Sequence, residues 1–126
     1  MTDHQQDLEI YLKGPDWDSI LDWLKNHFTI VSINRTSTGQ VLDLLFENKP
    51  LQCLLVEQAV KGGYSSIWFK NNHTPWLNDL ECANDAHSFL QIEIRCSVGN
   101  WSENSKDDDA WHKINHGITK TVNWQT

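Results

Sequence analysis

Basic residues are scarce in this chain of 126: ten Lys and Arg stand against seventeen Asp and Glu, a net charge of −7. The deficit is even, five against nine in residues 1–63 and five against eight in residues 64–126. There is thus no basic stripe or arm to neutralise phosphates, which argues against nucleic acid as a partner. An anionic membrane surface would repel the chain as well.

Cysteine is also rare. Cys53, Cys82 and Cys96 are odd in number, widely spaced and without a CxxC pair, so no disulfide framework is expected. They read as reduced thiols of a cytoplasmic protein, behaving as small hydrophobes. Long apolar runs are missing: Leu44–Phe46 and Leu54–Val56 fall far short of the roughly 20 residues of a membrane span. The opening MTDHQQDLEIYLKG has neither a positive n-region nor an apolar h-region, so no secretory leader is expected. Six Gly and three Pro exclude collagen and linker arrays, and 39% hydrophobic with 21% charged residues suits a single folded domain over 1–126. A Gly-rich phosphate loop, GxSxG, an EF-hand and a Walker pattern are all lacking, so no reaction and no cofactor is assigned.

What remains is a clear alternation of periods. Leu8–Leu12 alternates as a strand, Gly14-Pro15-Asp16 punctuates, and Trp17, Ile20, Leu21, Leu24 and Phe28 follow at helical spacing, giving a helix over 16–27. Thr29–Arg35 and Gln40–Glu47 form a hairpin around Thr36-Ser37-Thr38-Gly39, with Gly39 available for a left-handed position. Leu51–Glu57 and Tyr64–Lys70 continue the meander, with Tyr64, Ser66 and Trp68 on one face. A second helix over 79–89 precedes Ile92–Val98, the strictest two-residue alternation in the chain. Residues 99–110 read as a polar acidic loop, Trp111–Ile114 as a short helical turn and Ile118–Trp124 as a last strand. The order β-α-β-β-β-β-α-β-β predicts an α+β fold. It has a mostly antiparallel sheet of six to seven strands, both helices on one face, and an elaborated ferredoxin-like core.

Tryptophan is the outstanding excess, with seven in the chain. Those in helices and strands read as core; Trp76, Trp101 and Trp111 fall in expected loops or turns, where exposed indoles mark binding surfaces. The loop 71–79 places His73, Thr74, Trp76 and Asp79 between a strand end and a helix N-terminus; the plainer alternative makes Asn78 a cap and Trp76 a lid on the core. His112 and His116, four apart, would share a helical face that could chelate a metal with Asp107-Asp108-Asp109 upstream, but the plainer reading is a solvated acidic loop and no metal site is assigned. Glu93, Arg95 and Ser97 line the polar face of the most regular strand.

The resulting expectation is a non-enzymatic interaction, regulatory or inhibitory module. It binds a protein partner, or itself as a homodimer, through a surface of His73, Trp76, Asp79, Trp101 and Trp111, with acidity steering it toward basic partners. The alternative is a small-ligand-binding protein or hydrolase-like enzyme with a pocket between loops 71–79 and 99–117.

Overall fold

Every second residue of the first strand is apolar, and a computed structural model shows what that alternation builds. It describes residues 7–60, 62–70, 74–97 and 110–123. Leu8, Ile10 and Leu12 of β1 (Leu8–Lys13) are sealed from solvent, while Glu9, Tyr11 and Lys13 point the other way. The other strands are β2 (Thr29–Arg35), β3 (Gly39–Phe46), β4 (Lys49–Val60), β5 (Tyr64–Phe69), β6 (Ile94–Ser97), β7 (Ala110–Asn115) and β8 (Ile118–Asn123); the same alternation buries Leu42 and Leu44 of β3 and Leu51, Cys53 and Leu55 of β4, whereas no described side chain of β2 or β8 is buried. These eight strands form one antiparallel sheet in the order β2-β3-β4-β5-β1-β6-β7-β8.

Helix α1 (Trp17–His27) starts because Asp16, as N-cap, accepts from the Ser19 amide at 3.2 Å, and it buries Ile20, Trp23 and Leu24. Helix α2 (Asp79–Leu90) is capped by Asn78, which accepts from the Glu81 amide at 2.9 Å, and it ends on Gln91 in the left-handed region at φ 61°. Its buried stripe is Cys82, Ala83, Ala86 and His87, of which the first three are small and let it lie close on β1 and β6. Both helices cover one sheet face: Trp23 of α1 packs on Phe69 of β5 and bonds to Asp85 of α2. The α+β class, the single antiparallel sheet and the one-sided helices match expectation. The sub-order β4-β5-β1-β6 with its two helices is the ferredoxin-like arrangement, with β2-β3 added at one edge and β7-β8 at the other.

Two local expectations change. Residues 111–114 are strand, not helical turn: four residues cannot nucleate a helix alone, whereas β6 offers them a ladder, Ile94 opposite Ile114 through Ser97 opposite Trp111. That adds the eighth strand. Gly39 is required by close approach rather than by left-handed backbone, since a Cβ there would sit 1.7 Å from the Leu55 carbonyl oxygen.

An aromatic hub joins the helices to the sheet. Trp23 and Trp76 stack at 5.4 Å, and Phe28, Phe69 and His27 close around them. One carboxylate serves their polar edges: Asp85 accepts from Trp23 Nε1 at 3.1 Å and Trp76 Nε1 at 2.9 Å, and pairs with His27 Nε2 at 3.1 Å. Burial works against ionising Asp85, but the bonds from Trp76, Trp23 and His27 outweigh it and hold its pKa below the usual carboxylate value.

Candidate functional site

With both helices on one side, strand alternation sends a distinct set of side chains to the other. Register places Glu9, Tyr11 and Lys13 beside Trp68, Ser66 and Tyr64, then Arg95 beside Tyr11, and Lys113 beside Arg95. Trp111 lies next to them, opposite Ser97.

At the centre of this helix-free face, a single oxygen of Glu93, Oε2, accepts from the Tyr64 hydroxyl at 2.5 Å and from Arg95 Nε at 2.9 Å. The guanidinium carbon of Arg95 also lies 5.1 Å from the Tyr64 ring centroid, so cation, ring and carboxylate fix one another. Arg95 and Glu93 are both buried, at 4% and 9% exposure. Burial disfavours the Glu93 anion, yet the bonds from Tyr64 and Arg95 and the charges of Arg95 and Lys113 prevail, leaving its pKa below the ordinary carboxylate value. Tyr64 is pushed up to about 12, first by burial and then by donating to Glu93.

Glu9 behaves in the opposite way. Burial raises its pKa, the charge of Asp79 adds to the rise, and a hydrogen bond with Tyr11 only partly opposes it. Tyr11 is pushed up to about 12, by burial and then by the charge of Glu9. Two carboxylates on one face therefore hold protons with different tenacity, a separation typical of built polar sites. All three thiols are buried and free, and burial raises the pKa of each, Cys96 to about 12. The thiols are therefore protonated, and they lie in the helix-covered core rather than on this face.

Aromatics flank the network. Trp68 donates Nε1–H to Asp7 at 2.8 Å and carries Lys70 Nζ over its ring at 5.3 Å. Tyr11 meets Trp111 edge-on at 5.5 Å and 85°. Trp68 and Trp111 each keep part of their surface in solvent.

The residues singled out in the sequence fare unequally. Trp111 reaches this face. Trp76 does not: it is 5% exposed and belongs to the aromatic hub, the plainer of its two readings, and Asn78 is indeed the cap. Asp79 is a stitch between strands, accepting from the Glu9 amide at 3.1 Å and from the Ser97 hydroxyl at 3.4 Å. It takes over where the β1–β6 ladder, seen only at Tyr11–Arg95 and Leu12–Ile94, leaves off. Burial raises its pKa. His73 and Trp101 lie outside the described residues, as do 71–73 and 99–109 of the pocket expected between 71–79 and 99–117.

His112 and His116 do not share a helical face. His112 sits on β7 opposite Cys96 and His116 in the β7–β8 turn, where four residues of extended chain span about 13 Å. Among the described residues no three His, Cys, Asp or Glu side chains gather to hold a metal ion. Sequence reading found the Glu93–Arg95 alternation but missed Tyr64, Glu9, Tyr11, Lys13 and Lys113, which join it through strand pairing. The available signal was the shared face of Tyr64, Ser66 and Trp68.

No helix among the described residues is long and apolar enough to cross a membrane. No family model matches the chain, and no curated protein and no solved structure is significantly similar to it.

Proposed function

We propose that the protein is a non-enzymatic binding module that engages a protein partner through the helix-free face of its sheet. One observation carries this reading: Trp68 and Trp111 keep part of their surface in solvent on that face around a pre-formed Glu93–Arg95–Tyr64 network, whereas Trp23 and Trp76 are sealed beneath the helices. Partly exposed indoles around a rigid polar centre resemble the anchors that dominate protein interfaces. The network is held by the fold itself, so little side-chain entropy remains to be lost on binding.

Site-specific photocrosslinking tests it. A photoreactive phenylalanine analogue replaces Trp68, Trp111 or, as control, Phe89, which is 44% exposed on α2. In the cells that express the protein, positions 68 and 111 should yield the same adduct and position 89 none. Adducts at 89 with none at 68 or 111 would place the interface on the helices and refute the reading.

A further inference from the structure

The two outer strands of the sheet are unequally protected. In the order β2-β3-β4-β5-β1-β6-β7-β8, β2 and β8 each pair on one side alone, so the other side of each presents backbone N–H and C=O groups that no described strand meets. Such a row is a template for a further strand, and proteins that stay monomeric blunt it, often with lysine. β8 follows that rule, with Lys120 near the middle of Ile118–Asn123. β2 does not. Residues 29–34 (TIVSIN) carry no charge, and Arg35 is the single ionised residue of the strand. Val31 is 60% exposed and Ile33 42%, and both are of the β-branched type that favours strand pairing. One blunting device is present, the bulge between Ile30 and Ser32, but Ser32–Arg35 beyond it keep an unbroken register with β3.

The helix layer leaves this edge open. Trp23 of α1 packs on Phe69 of β5, and Ile20 borders a cavity with Leu55 of β4, so the helix is seated inward of β2. Ile33 pairs with the buried Leu42 and therefore points to the helix side, yet it stays in solvent there.

We propose that β2 pairs antiparallel with β2 of a second copy of this chain, giving a two-fold dimer with one continuous sheet. The charge pattern suits self-pairing. With the pair centred on Ser32, Ile33 or Asn34, Arg35 faces Thr29, Val31 or Ile33, so no like charges oppose. On β3 behind it, Asp43 is bonded by Ser32 and Gln52 and lies at least about 14 Å from its copy, three strand spacings away. That exceeds the roughly 10 Å screening length of 0.1 M salt, so the net charge of −7 opposes contact only weakly. The same pairing at the middle of β8 would set Lys120 beside its own copy. The asymmetry is what a dimer requires: a covered edge needs no guard, and the two edges left at its ends are the lysine-bearing β8. The two-fold stands perpendicular to the sheet and turns both helix-free faces the same way, so this dimer and the binding role of that face are independent.

Light scattering and native mass spectrometry over about 1–100 µM protein test it. The parent should approach twice the chain mass as concentration rises, and dilution should speed hydrogen exchange of β2 amides while leaving those of β8 unchanged. Val31→Lys and Ile33→Lys, at exposed positions, should raise the dimer dissociation constant about tenfold or more with an unchanged circular dichroism spectrum. Ile118→Lys, 55% exposed on β8, should leave the dimer intact. A parent that stays monomeric throughout would overturn the proposal. So would a dimer lost in Ile118→Lys and kept in Ile33→Lys. Masses growing past two copies would overturn it too, because β2-to-β8 pairing leaves its ends open. Should lysine at 31 or 33 prevent folding, exchange in the parent decides: β2 protection that ignores concentration refutes the self-pair.

Discussion

Removing the Asp85 carboxylate exposes how the helix layer is held. Trp23 is fully buried and Trp76 is 5% exposed, so in Asp85→Ala both indole N–H groups lose their acceptor in surroundings that water reaches poorly. An unsatisfied buried donor costs about 1–3 kcal/mol. The Asp85 side chain itself is 32% exposed, which lets a solvent molecule replace part of what is lost. The expected destabilisation is therefore about 2–4 kcal/mol, a large share of a total that is typically about 5–15 kcal/mol. For a domain of this size that lowers the melting temperature by about 6–15 °C. Asp85→Asn should cost less than alanine, because the amide oxygen still accepts while its NH2 faces one of the former donors.

The pH dependence has a definite sign. Because the Asp85 pKa is depressed on folding, its stabilisation is complete above its ordinary value of 3.8 and fades as pH falls through the lower folded value. The parent should lose this contribution below about pH 4, and Asp85→Ala should lose none there. Urea unfolding followed by tryptophan fluorescence, between neutral pH and pH 3, measures both effects. A variant within about 0.5 kcal/mol of the parent at neutral pH, with the same acid limb, would show that the hub is packing alone and that its hydrogen bonds contribute nothing net.

Other perturbations address other parts of the fold. Tyr64→Phe removes the 2.5 Å bond to Glu93, so the Glu93 pKa should rise and stability should fall by about 1–2 kcal/mol; a carboxyl-carbon titration reads the first and a melt the second. His87→Ala should cost about 2–3 kcal/mol and speed hydrogen exchange at the Gly117 amide. Gly117 N–H can only donate to His87 Nε2, at 3.0 Å, so Nδ1 carries the proton that bonds the Ile92 carbonyl at 2.8 Å, and alanine orphans both partners. Gly39→Ala drives a Cβ into the Leu55 carbonyl and should cost about 2–4 kcal/mol, measured by denaturant midpoint; a neutral result would show that β3 and β4 can separate there freely. Acrylamide should quench Trp68 and Trp111 and spare Trp23 and Trp76, as single-tryptophan replacements would reveal.

The elements were legible in the sequence wherever a period was sustained. Leu8-Ile10-Leu12 and Ile94-Cys96 announce strands because burial selects every second residue, and α1 shows its stripe of Ile20, Trp23 and Leu24 beneath an Asp16 cap. Period fails where the partner strand decides. Trp111–Ile114 is too short to choose between helix and strand, and the open edge of β6 chooses for it. The error over His112 and His116 follows from the same cause, since a spacing of four means proximity only on a helix.

The same reasoning explains why the two polar centres escaped notice while their members did not. Glu93 and Arg95 are two apart and visibly share a face, but the hydroxyl that completes their network comes from Tyr64, 29 residues earlier. Asp85 gathers Trp23 from 62 residues away and Trp76 from nine, so neither indole has a local reason to be core rather than surface. Loop position suggested a surface for Trp76, and strand position suggested core for Trp68; both inferences assume that secondary structure fixes burial. In a one-sided α+β sheet, burial is fixed by which face the helices cover. Trp68 is out because Ile67 and Phe69 are in, and Trp76 is in because α1 and α2 meet over it. The helix-free face is thereby left to polar side chains that must satisfy one another, as Glu93 does with Arg95 and Tyr64.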